Sequence, residues 1–163
     1  MGSIGSNLQE VKQRIGRAAH AAGRSAQSVT LLAVSKTFDA GSVRQALAAG
    51  QHAFGENYVQ EALSKIDALA DQRAQLEWHL IGPLQSNKTR PVAEAFDWVH
   101  TIDRLKVAER LAEQRPAGLA PLQLCFRSTS AVRPAKAALR PATWRPWPVP
   151  WPRCRPSACG SGA

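Results

Sequence analysis

Residues 29–36 read Val-Thr-Leu-Leu-Ala-Val-Ser-Lys. From Val29 to Val34 the run is apolar with only Thr30 polar, the pattern of a strand buried on both faces. Immediately after it, Asp39 is placed to cap a helix in which Val43, Ala46 and Leu47 share one face, and Gly50 closes that helix. Before it, Ser6 and Gln9 have the spacing of a capping box, followed by Leu8, Val11, Ile15 and Ala18–Ala19 at helical intervals up to about Ala22, with Gly23 as the stop.

The strand-then-helix unit recurs downstream. Ala53–Phe54 reads as a second strand before a helix over about Val59–Leu69, and Trp78–Ile81 as a third before a helix from about Asn87 to Ala95, with Pro91 in its first turn. Trp98–Ile102 is a fourth strand, followed by a helix over Leu105–Arg115 with Asp103 as cap and Leu105, Ala108 and Leu111–Ala112 turned inward. Leu122–Leu124 starts a fifth. Such alternation predicts an α/β fold with a parallel sheet covered by helices. Neither G-x-G-x-x-G nor G-x-x-x-x-G-K-[ST] is present, which removes the two commonest nucleotide signatures of doubly wound sheets. The expected architecture is the first half of a (β/α)8 barrel over residues 1–124, followed by an irregular tail over 125–163.

Composition divides the chain at the same place. Of 21 Lys and Arg and 12 Asp and Glu in 163 residues, the last stretch, 125–163, holds seven basic residues and no acid, so the net charge of +9 belongs mostly to it. It also holds all three Cys, seven of the eleven Pro and three of the five Trp. The body before it has the balance of an ordinary soluble domain. No apolar run reaches the roughly 18 residues of a membrane helix, and the N-terminus lacks a signal peptide's apolar core, so a cytoplasmic protein is expected. Residues 1–6, MGSIGS, match the short N-myristoylation pattern, but no basic cluster stands beside them as a second anchor. With no Cys before Cys125, and His20, His52, His79 and His100 scattered without ligand spacing, no metal site is expected.

In barrels the chemistry lies where strands end and the following loops begin. The residues there are Ser35–Lys36, Gly55–Glu56–Asn57, His79 with Gly82–Pro83, and His100–Thr101 with Asp103. Lys36 is the most informative. Its position predicts an amine pointing into the barrel mouth on an apolar stem, where burial lowers a lysine's pKa and leaves a neutral nucleophile for an aldehyde. The alternative is a lysine that snorkels at a strand end.

LLAVSKTF (31–38), FGENYVQEA (54–62), EWHLIGPLQSNK (77–88) and FDWVHTIDR (96–104) form a set of long motifs in fixed order. Over roughly residues 5–124 they resemble the pyridoxal phosphate homeostasis protein family, whose fold is similar to the N-terminal barrel of alanine racemase. The resemblance implies that Lys36 carries pyridoxal 5′-phosphate (PLP) as a Schiff base, with Asn57 and His79 in or near the cofactor pocket. For those two residues the alternatives are an Asn that caps the next helix and a His hydrogen-bonded in the barrel core. It also implies a monomeric or weakly associated carrier that buffers PLP or passes it to PLP-dependent apoenzymes, without an established reaction. A racemase-type enzyme is the alternative; it needs a second acid/base on the opposite face of the cofactor, part of which comes from another domain in related barrel enzymes.

The family's motif NISGEASKSG is missing after Leu124. Degenerate back-translation of Cys125–Lys136, read from the third base of each codon, permits F-Q-V-N-I-S-G-E-A-S-K, and the stretch from Trp151 permits A-A-L-P-x-L-R-L-R. Residues 125–163 are therefore expected to be frame-shifted sequence, disordered, with one base lost or two gained near codon 124. The competing reading is a basic tail binding nucleic acid, with Arg on phosphates and Trp144, Trp147 and Trp151 stacking on bases. Seven prolines oppose a regular helix or central strand there, and no specific nucleic-acid binding is expected. In the family the phosphate site comes from Gly-Ser-Thr and Arg-Ile-Gly-Thr segments late in the chain, which this sequence lacks. A half-barrel would leave open sheet edges, so self-association or impaired binding is expected of the chain as written.

Overall fold

A computed structural model describes residues 2–127. Of the irregular tail expected over 125–163, Cys125 and Phe126 are instead strand, the end of a run that starts at Gln123; the expectations for 128–163, including disorder and the shifted frame, lie outside the described residues. Five helices alternate with five strands: α1 (Ile4–Ala21), β1 (Ala33–Val34), α2 (Ala40–Ala48), β2 (Ala53–Glu56), α3 (Val59–Ala68), β3 (Glu77–Leu80), α4 (Thr89–Ala95), β4 (Trp98–Ile102), α5 (Leu105–Gln114) and β5 (Gln123–Phe126). The strands form one sheet in the order β1-β2-β3-β4-β5, every neighbouring pair parallel. Sequential order with helical crossovers is the winding of a barrel rather than of a doubly wound sheet.

Register explains which side chains are buried. Phe54 pairs with Trp78, and Leu80 with Val99, so large apolar residues align on one face across three strands. These four meet Val43, Leu69, Val92, Phe96 and Leu111 from the helical layer in a single core, all at most 1% exposed. Removing one such side chain from water is worth about 1.5–3 kcal/mol, which is why the helices stay on the sheet.

The local signals mostly act as read. Asp39 caps α2 by accepting from the Ser42 N–H at 2.7 Å. Gly50, with φ +78, ends it in the left-handed conformation, and its carbonyl accepts from Lys12 Nζ at 2.9 Å. Four expectations need correction. The cap of α1 is Ser3, which accepts from Ser6 N, so the helix starts earlier than a Ser6 cap would allow. The cap position of α5 is Arg104, without a side-chain bond, and Asp103 turns to the Arg104 guanidinium instead. On α5 the inward face is Val107, Ala108 and Leu111, whereas Leu105 and Ala112 are exposed. The run at 29–34 becomes strand only at Ala33–Val34, and Val34 is 48% exposed, because β1 lies at the sheet edge among the described residues. No described helix is long and apolar enough to cross a membrane.

Candidate functional site

Lys36 follows β1 at the carboxyl end of the sheet. Ser35 continues the ladder one residue past the strand by donating its N–H to Gly55 O at 3.0 Å, and the chain then turns through Lys36 and Thr37. Thr37 has φ +68, a left-handed conformation that costs a β-branched residue energy. Phe38 N–H closes the turn on Ser35 O at 3.1 Å. Lys36 itself is exposed rather than buried, because it leaves the edge strand for an open turn. Among the described residues its amine makes no hydrogen bond and no ion pair.

The residues on either side of it are anchored below the turn. Lys65 on α3 is 6% exposed, and its Nζ reaches three acceptors: Ser35 O at 2.7 Å, Glu61 Oε1 at 2.8 Å and Glu56 Oε1 at 2.9 Å. An ammonium has three donors, so all are used. Glu56, at the end of β2, is fully buried and also accepts from Ser35 Oγ at 2.5 Å. Glu61 accepts from the Thr37 N–H at 2.7 Å. Its hydrogen bond with Lys65, then that with the Thr37 amide, hold its carboxyl below the usual range. The burial of Glu56 and Lys65 was not legible from sequence, although Glu61 and Lys65 stand at the i, i+4 spacing of a helical ion pair.

His79 lies on β3, 8% exposed, on the opposite face from Trp78 and Leu80. Its ring stacks on Trp98 with centroids 5.5 Å apart, and its Nδ1 is 2.9 Å from His100 Nε2. Nε2 is buried with no hydrogen-bond partner among the described residues. Burial pushes the His79 imidazole below its ordinary value; the Glu77 carboxylate opposes that shift and His100 adds to it. The two histidines, scattered in sequence, are thus neighbours across adjacent strands. Among the described residues no group of three or more His, Cys, Asp or Glu is placed to hold a metal.

Asn57 is half-buried in the loop after β2. It does not cap α3, whose cap position is Tyr58 without a side-chain bond. Its backbone presses on the next loop: a Cβ at Gly82 would lie 2.1 Å from Asn57 O. Asn57 and Tyr58 share an open cleft with Val59, Pro83, Gln85 and Lys88, and neither Lys36 nor His79 lines that cleft.

These residues fit an aldehyde-bearing cofactor in one respect. The candidate amine is exposed, carries no acidic partner among the described residues, and stands on a turn fixed from below.

Residues 6–127 match the family described as alanine racemase, N-terminal domain. Over 141 residues the chain is 55% identical to the pyridoxal phosphate homeostasis protein of Pseudomonas aeruginosa, covering 86% of this chain and 60% of that one. The protein of the same name from Escherichia coli K12 is 50% identical over 141 residues, with the same coverage. The chain thus spans about 60% of the length of these curated relatives. Among solved structures, PipY of Synechococcus elongatus with PLP bound superposes with a TM-score of 0.53 at 48% identity, covering 61% of this chain and 47% of that one. An unknown protein from Bifidobacterium adolescentis superposes at 0.64 with 35% identity, covering 69% and 49%.

Proposed function

The chain belongs to the alanine racemase N-terminal domain family, and on that premise we propose that it binds PLP through Lys36 and serves to hold the cofactor and release it to apoenzymes. The observation that carries the reading is the exposed amine of Lys36 at the carboxyl end of β1, unpaired among the described residues, on a turn whose flanking residues are fixed. When bound, PLP supplies an aldehyde that an amine captures with loss of water.

Lys36 would hold the cofactor at its Nζ. Ser35 and Thr37 fix the backbone from which that amine extends. His79 and Asn57 are the proposed flanking contacts: His79 brings an imidazole whose pKa burial lowers, and Asn57 an amide at the neighbouring strand end. A holding role rather than turnover is supported by the names of the relatives, which describe homeostasis proteins. This reading puts the protein in the cytoplasm.

The test is titration of the full chain with PLP, followed by visible absorbance, beside Lys36→Ala. Saturable absorbance that disappears in Lys36→Ala supports the reading; equal absorbance in both refutes it.

A further inference from the structure

We propose that Glu61, tied to Lys65, is a positioning residue for Lys36: it clamps the Thr37 amide and so holds the strained turn that presents the amine. The inference rests on the reading of Lys36 given above.

Lys36 makes no bond of its own among the described residues, yet both its neighbours are held by one cluster. Lys65 Nζ takes the Ser35 carbonyl at 2.7 Å, and Glu61 takes the Thr37 N–H at 2.7 Å. Lys65 joins the two at 2.8 Å from Glu61 and is itself seated on buried Glu56 at 2.9 Å. A cluster serving only to fasten α3 to β2 would need no contact with the turn. This one reaches the amide of a threonine at φ +68, a conformation a β-branched side chain resists and the surrounding structure must impose. Releasing that amide lets Thr37 relax to negative φ and swings the Lys36 stem away from its fixed direction.

The experiment measures PLP attachment to the full chain and amide hydrogen exchange at Thr37 in four variants. Glu61→Ala is expected to weaken attachment about tenfold, equivalent to about 1.4 kcal/mol, and to speed exchange at Thr37. Cooperative unfolding should survive, because the Glu61 side chain is 33% exposed. Glu61→Gln keeps an oxygen for the Thr37 N–H and should stay near the unsubstituted protein. Thr37→Gly in the Glu61→Ala background should restore much of the attachment, since glycine adopts positive φ freely; a general loss of packing would not be rescued in this way. Unchanged attachment and exchange in Glu61→Ala, or no rescue by Thr37→Gly, would overturn the positioning role. Undiminished attachment in Lys36→Ala would instead overturn the Lys36 reading, and the clamp's function with it, whatever the exchange at Thr37 shows.

Discussion

His79 Nδ1 lies 2.9 Å from His100 Nε2, although the two residues are 21 positions apart in the chain. One strand–helix–strand unit separates them, and the pairing of His79 with Trp98 brings His100 to the diagonal position on the same face. Burial holds the His79 imidazole below its ordinary value of 6.5. A histidine whose pKa is lower folded than unfolded is protonated preferentially in the unfolded chain. Its contribution is therefore fully present above about pH 6.5 and is lost as pH falls toward the folded value. Urea unfolding between pH 7.5 and 5 should show stability declining over that window, and His79→Gln should flatten the decline.

Lys65 and Glu56 form a buried ion pair, with side chains 7% and 0% exposed. Lys65→Met leaves the Glu56 carboxylate without its cation and should cost about 3–5 kcal/mol in chemical denaturation. The double variant Glu56→Gln with Lys65→Met should cost less than Lys65→Met alone, because no charge is then stranded. Equal losses in the two would show that lost packing, rather than stranded charge, dominates.

The alternation of strands and helices was legible because each apolar run and each cap acts over a few residues. Trp98–Ile102 is the strand its pattern predicts, and Asp39 the cap. Lys36 was legible as a residue at a strand end. The cluster beneath it was not, since Ser35, Glu56 and Lys65 are joined only by the pairing of β1 with β2 and by α3 folding back over both. Periodicity carries no record of such contacts. The same limit applies to the expected burial of Lys36 and Val34, which depends on what lies beyond β1 and not on the run itself.

Gly82 and Gly16 should respond oppositely to alanine. At Gly82 a Cβ would stand 2.1 Å from Asn57 O, a backbone atom that cannot rotate aside, so Gly82→Ala should cost at least about 1–3 kcal/mol. It should also disturb the loop that accepts the Thr101 hydroxyl at Gly82 O. At Gly16, inside α1, no described residue lies within 4 Å of an added Cβ, and Gly16→Ala should stabilise by about 0.5–1 kcal/mol. Thermal unfolding of the two variants checks both signs.

Whether one amine, Lys36, holds the cofactor is read by fixing the bond where it forms. The full chain is incubated with PLP, reduced with borohydride and digested, and the modified lysine is located by peptide mass spectrometry. The result expected is a single dominant pyridoxyl adduct on Lys36, with other exposed lysines such as Lys106 modified only at excess reagent. Adducts spread evenly over exposed lysines, or a dominant adduct elsewhere with Lys36 unmodified, would contradict it.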